Sequence, residues 1–300
     1  MKKNRKFIEF ENLDEFEKYF NKLKITRFIN KLQVHHMDLP NYSTWKNTDC
    51  KKWGSNAPLN RTESLDSYGK NTWHSGDGHG HYIAQHYNVF PNGHITTGRD
   101  INSTPIGIKG WNTGAICVEI YGDFDKGVDN MTKEQKEAVI GLYAIMAKRL
   151  KLPVNSSYIR PHCWFTAYGT YLGTYDSGRS AKSCPGSNFM GFGTKKTNFA
   201  EFYRLIKNSP YYTGKKDGAG ADPKPPSNKI KLVKNISNES LNIRETADWD
   251  AKAVNQLKPG DSLTYLDTVT PKNGTTKMYK TKSGYVTASD KYTKIIEISK

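Results

Sequence analysis

The chain has 300 residues, enough for about two domains at the usual 100 to 200 residues each, and its 36% hydrophobic content supplies a real core. Its 45 Lys+Arg against 29 Asp+Glu leave a net charge of +16, which draws it toward polyanions such as nucleic acid, anionic membranes and acidic bacterial wall polymers. No apolar run approaches the roughly 18 residues of a membrane span, the basic residues are scattered without an RNP, zinc-finger or helix-turn-helix pattern, and four widely spaced cysteines make a poor disulfide framework, so membrane insertion, nucleic-acid binding and a disulfide scaffold are all disfavoured.

In chain order, "MKKNRKFIEFENLDEFEKYF" sets Phe and Ile among Glu and Asp and lacks the unbroken apolar stretch of a secretory signal. Synthesis in the cytoplasm without a signal peptide is the expectation. Leu13, Phe16, Tyr19 and Phe20 recur at helical spacing, after which "FINKLQVHH" reads as a short strand ending in two histidines. "HYIAQHYNVFPNGHITTGRD" alternates polar and apolar residues on both sides of Pro91-Asn92-Gly93, a hairpin pattern. "GAICVEIYGDF" is β-rich and apolar enough for a central strand. "MTKEQKEAVIGLYAIMAKRLKLP" is the plainest helix: Thr132 and Gln135 form a capping box, Ala138, Leu142, Ile145 and Met146 mark a face, and Pro153 ends it. These elements predict an α/β domain over residues 1–212, with a mixed central sheet flanked by helices.

"TGKKDGAGADPKPPSNK", residues 213–229, is rich in Gly, Pro and Lys and reads as a semi-flexible linker. Residues 230–300 hold short strands between polar turns, Lys258-Pro259-Gly260-Asp261 being the clearest, which suggests a small all-β barrel.

The chemistry centres on His and Cys. A catalytic zinc site takes three protein ligands and keeps a fourth position open, and a mixture of imidazole and thiolate suits Zn²⁺ better than a hard cation. Candidate donors are the strand end "VHH" (His35, His36), "RPHCWF" (His162) and Cys184 before Pro185-Gly186. Singly, each such residue is more often a surface or core residue than a ligand, and the Gly-rich "HGHY" cluster is more often a mobile loop than a metal site.

Taken in order, "LQVHHMD", "NVFPNGHITTGRD", "GWNTGAICVEIYGDFD", "RPHCWF" and "KSCPG" resemble the zinc-dependent N-acetylmuramoyl-L-alanine amidases of the type-2 family, which share a fold with peptidoglycan recognition proteins. The resemblance spans roughly residues 30 to 210. It implies His35, His162 and Cys184 as Zn²⁺ ligands and Lys182 as a fixed charge for the oxyanion. It also implies cleavage of the amide between N-acetylmuramic acid and L-alanine. Glu119, an acid within an apolar strand, is the candidate base, since burial raises a carboxylate pKa toward the working range. Some relatives place a catalytic Tyr where this chain has Gln85, which shifts that role to Glu119. The 21 residues between His162 and Cys184 exceed the family's shortest members and hold Trp164, Phe165, Tyr168, Tyr171 and Tyr175. Aromatic faces can stack on sugars, so Trp164 is expected at the substrate groove, and the resemblance implies that Trp111 and Asn112 of "KGWNTG" line it as well.

"LNIRETADWDAKAVNQLKPGDSLTYL" is similar to bacterial SH3-like domains, which in lytic enzymes bind wall polymer or cross-bridge. Met278 stands where such domains usually have Trp, leaving Tyr279 and Tyr285 as expected contacts. The resemblance thus implies bacterial peptidoglycan and anionic cell-wall polymers as partners. With no export signal in view, it also implies a phage endolysin released through a holin-type route. A host-encoded autolysin, or a recognition protein that binds without cutting, is the alternative.

Overall fold

In a computed structural model, which describes residues 1–214 and 229–299, the chain divides into two units, Met1–Asp217 and Gly218–Lys300. The sheet of the first unit is built from β1 (Lys2–Lys3), β2 (Ile8–Phe10), β3 (Lys31–His36), β4 (Tyr87–Val89), β5 (Ile95–Thr97), β6 (Ala115–Ile120) and β7 (Ile159–Pro161). Their order across it is β1-β2-β5-β4-β6-β3-β7. Strands β4, β6, β3 and β7 run parallel, and the β5, β2 and β1 edge is antiparallel.

The parallel core explains where the polar residues go. Successive side chains of a strand point to opposite faces. Leu32 and Val34 of β3 join Ile116, Val118 and Ile120 of β6 in the main hydrophobic core. Gln33 and His35 alternate with them, in register with Cys117 and Glu119 of β6.

The helix Lys133–Arg149 buries the expected Ala138, Leu142, Ile145 and Met146, and Val139, Tyr143, Ala144 and Ala147 besides. Thr132 caps it by accepting from the Gln135 N–H at 3.1 Å. The Gln135 side chain does not close the anticipated capping box. Its amide donates instead to Val89 O and Tyr121 O, at 3.0 and 2.9 Å, where it satisfies the ends of β4 and β6. The helix Leu13–Lys22, capped by Asn12, buries Phe16 and Phe20.

Two helices lack a legible apolar period or were not anticipated. Lys196–Asn208 buries Phe199, Phe202, Tyr203 and Ile206. Ala57–Thr72 buries small and polar residues, among them Thr62, Asp66 and Gly69, so its inner face does not read as hydrophobic. Among the described residues, no helix is long and apolar enough to cross a membrane.

The second unit is an antiparallel sheet of β8 (Lys229–Asn235), β9 (Leu241–Arg244), β10 (Ala253–Leu257), β11 (Ser262–Val269), β12 (Met278–Thr281), β13 (Gly284–Thr287) and β14 (Thr293–Ser299), ordered β10-β9-β13-β12-β11-β8-β14. Val233, Ile243, Leu257 and Val286 form its core, and Met278 is fully buried. The Lys258–Asp261 turn is present, closed by the Asp261 N–H on Lys258 O at 3.1 Å. Of the stretch expected to be a linker, residues 215–228 lie outside the described residues; Thr213 ends a short helical turn, Pro210–Thr213, and Lys229 begins β8.

Candidate metal and catalytic site

Parallel register brings the first two site residues together: His35 and Glu119 are paired across β3 and β6, with His35 Nδ1 3.8 Å from Glu119 Oε1. β7, on the other side of β3, ends at Pro161 and delivers His162 in a short 3₁₀ turn, its ring centroid 4.9 Å from that of His35. Cys184 arrives on the loop that follows, with Sγ 3.6 Å from His35 Nδ1. The donor atoms of His35, His162 and Cys184 all lie within 4.8 Å of one another. A second such group, His35, Cys117 and Glu119, shares the same histidine.

The Cys184 loop is held by local chemistry. Its sulfur accepts the backbone N–H of His36 at 3.4 Å, and its carbonyl accepts the N–H of Cys163 at 2.7 Å. Gly186 sits at φ +109°, and a Cβ there would come within 2.3 Å of the Phe124 carbonyl. Only glycine lets the loop close against the end of the β6 segment. Asp125 fastens the same loop, accepting from Ser183 Oγ at 2.6 Å and from Ser187 N at 2.7 Å. The acid in "GDFD" was the available sequence signal for this clasp.

Electrostatics favour a donor set ready for a soft cation. Burial, with His162 and Lys182 close by, holds the His35 imidazole well below its usual pKa, and burial first, then Lys182, lowers His162 to about 4. Both rings are therefore neutral, the form that coordinates metal. Burial and the Glu119 charge push the Cys184 thiol up, an effect a bound divalent cation reverses. Burial raises Glu119 to about 8, with Lys182 pulling partly against it. Glu119 Oε2 is buried without a hydrogen-bond partner. Two neutral imidazoles, a thiol and an unsatisfied carboxylate oxygen fit Zn²⁺ with an acid beside it.

The other histidines go elsewhere. His36 Nδ1 accepts the Phe124 N–H at 3.1 Å. His86 Nδ1 accepts the Cys117 N–H at 3.0 Å, and its Nε2 lies 3.0 Å from Ser103 O, so its ring braces β6. In the "HGHY" loop, His81 pairs with Asp77 at 2.9 Å, whose carboxylate also accepts the N–H groups of His79 and His81, making a loop clasp. Gln85 is buried and donates to Asn88 Oδ1. Lys182 is exposed two residues before Cys184.

One expected substrate contact, Trp164, requires correction, and the others are placed as follows. Trp164 is 0% exposed and donates its indole N–H to Thr194 O at 2.7 Å, so it is a core residue with no face for a sugar. Trp111 is almost wholly buried against Phe165, with the Arg160 guanidinium 4.9 Å from its ring. Asn112 turns its carbonyl oxygen inward, onto the Gly107 N–H and Gln33 Nε2. Tyr168, 86% exposed, and Tyr171 are the insert aromatics left open. In the second unit Tyr279 packs on Tyr265. An open groove of about 620 Å³ is lined instead by Arg244, Trp249, Thr276, Ser289 and Tyr292, not by Tyr279 or Tyr285.

The fold and site thus define an α/β protein with a buried His/Cys donor cluster and an adjacent acid at the carboxyl ends of parallel strands. The chain belongs to the N-acetylmuramoyl-L-alanine amidase family Amidase_2, whose sequence profile matches residues 26–187, just over half its length and inclusive of all five site residues. Members of that family are typically zinc-dependent. Similar solved structures include the N-acetylmuramoyl-L-alanine amidase LysC from Clostridium intestinale, 17% identical over 58% of this chain and 85% of that one, TM-score 0.37. Drosophila PGRP-LB is 15% identical over 65% and 89%, TM-score 0.39. Peptidoglycan recognition protein-LE, in complex with the monomeric peptidoglycan tracheal cytotoxin, is 15% identical over 63% and 85%, TM-score 0.38. No curated protein sequence matches the chain significantly.

Proposed function

We propose that the protein is a zinc-dependent peptidoglycan amidase of the endolysin type, cutting between N-acetylmuramic acid and L-alanine, with His35, His162 and Cys184 as the metal ligands. The observation that carries the reading is the convergence of those three donors within 4.8 Å, beside a carboxylate oxygen with no partner. Zinc held there supplies the Lewis acidity that polarises the amide carbonyl and acidifies water.

The chain's own groups do the rest. Glu119, 3.8 Å from His35 Nδ1, accepts a proton from the attacking water at its carboxylate and returns it to the leaving L-alanine nitrogen; burial raises its pKa, and a cation bound beside it would lower it again and favour the ionised, accepting form. Lys182 supplies fixed positive charge to the oxyanion, and its pull on His35, His162 and Glu119 indicates that its charge is felt across the cluster. The second unit, read as an SH3-like wall-binding module, raises the local concentration of enzyme on peptidoglycan and anionic wall polymer. An open groove lined by Trp249 and Arg244 is available to such a ligand.

Metal analysis tests the ligand set. The purified protein should bind one zinc per chain, and Cys184→Ser should lose both zinc and hydrolysis while still pelleting with cell walls. Undiminished zinc content in that variant would refute the assignment.

A further inference from the structure

Resting on the reading that His35, His162 and Cys184 hold a metal, we propose that Gln33 is a positioning residue that fixes His35 in its Nε2–H tautomer and so makes Nδ1 the ligand atom. The assignment follows from two backbone groups whose roles cannot change. The Gly107 N–H can only donate, and it lies 3.0 Å from Asn112 Oδ1, so that atom is the carbonyl oxygen of the Asn112 amide. Trp111 O can only accept, and it lies 3.0 Å from Gln33 Nε2.

Gln33 Nε2 also lies 3.0 Å from Asn112 Oδ1. Both amide protons of Gln33 are therefore directed at fixed acceptors. Turning that amide over would set its oxygen against two other oxygens in a site where Gln33 is fully buried. Its Oε1 consequently faces His35 Nε2, at 3.2 Å. An acceptor in that place calls for a proton on Nε2, because the alternative tautomer sets two lone pairs face to face away from water. Nδ1 is left unprotonated, and Nδ1 is the atom found 3.6 Å from Cys184 Sγ and 3.8 Å from Glu119 Oε1.

Packing keeps the arrangement closed. A Cβ on Gly107 would fall 2.1 Å from Gln33 Oε1 and 3.1 Å from both His35 Nε2 and Cys117 Sγ. The 107–112 loop lies against the pair because residue 107 has no side chain. The chain of contacts Gly107, Asn112, Gln33, His35 thus links that loop to the metal ligand. Partners of this kind orient a ligating imidazole, and their loss typically weakens metal binding by roughly 10- to 100-fold.

The direct test is long-range ¹H–¹⁵N correlation of His35 in ¹⁵N-histidine-labelled, full-length protein, with and without zinc. A proton on Nε2 in both states, and metal on Nδ1 in the loaded state, is the expected result; a proton on Nδ1 or metal on Nε2 overturns the proposal. The metal-free spectrum reads the tautomer even if the wild-type protein takes up no zinc, an outcome that would sink the ligand set but not the role of Gln33. Zinc affinity by chelator competition gives the second arm. Gln33→Met, which fills the space without an acceptor, should bind zinc roughly 10- to 100-fold more weakly with its circular dichroism unchanged. Asn112→Leu should weaken zinc binding in the same direction, whereas Asn112→Asp, which keeps both acceptor contacts, should restore it. Wild-type affinity in a folded Gln33→Met protein contradicts the proposal.

Discussion

His35 and Glu119 stand opposite one another in the parallel register of β3 and β6, and their side chains approach to 3.8 Å between Nδ1 and Oε1. One strand pair therefore presents an imidazole and a carboxylate to the same point, and the backbone pairing of β3 and β6 sets their separation.

Glu119→Gln keeps the shape of the side chain and removes its basicity. The variant should retain zinc while its turnover falls by roughly 10²- to 10⁴-fold, the usual worth of a general base. Turnover on purified cell walls, set beside zinc content, is the check, and near-normal turnover would mean that another group takes the proton.

Gly186→Ala tests how the Cys184 loop is seated. The new Cβ meets the Phe124 carbonyl at 2.3 Å, and the backbone is at φ +109°. A loss of about 2 kcal/mol or more in folding stability is expected, with weaker zinc binding because Cys184 is two residues away. Denaturant midpoints and chelator competition measure the two effects separately.

The pH dependence of stability should carry the signature of His86. Burial first, and then Arg27, lowers its pKa from 6.5 to about 3, so the folded chain keeps it neutral while the unfolded chain takes up a proton below about 6.5. The unfolded state then binds more protons across that window. Stability contributed by this group is complete above about pH 6.5 and is lost as pH falls toward 3, at up to about 1.4 kcal/mol per unit. Urea midpoints of metal-free protein at pH 7 and pH 5 should differ accordingly, and His86→Gln should reduce the difference by the share of this one group, leaving the part due to His35 and His162, even if it lowers both values. An unaltered slope would contradict this account.

The proposed ligands are legible only as an ordered set of motifs that resembles a known family; singly, His35 at a strand end, His162 after β7 and Cys184 before Pro-Gly point as readily to surface or core roles. Glu119 was legible as the one acid in an apolar strand. Gln33 was not, since a buried glutamine matters here only through loop 107–112, which is far from it in sequence. The aromatic residues misled for a related reason. Composition places Trp164 near the site, but whether its ring faces a groove or the core depends on Phe199 and Thr194, which pack on it from the far side of the insert. The helix Ala57–Thr72 escaped notice because Asp66 and Thr62 are buried by partners rather than by hydrophobicity: Asp66 accepts the N–H groups of Tyr82 and Ile83, and Thr62 bonds Thr96 at 2.7 Å.

The most direct measurement is digestion of purified Gram-positive peptidoglycan with and without a zinc chelator, followed by mass spectrometry of the new ends. The proposed activity predicts free L-alanine amino termini with the glycan intact, abolished by chelation and restored by added zinc. New reducing sugar ends, cut cross-bridges, or tight binding with no cleavage would contradict it.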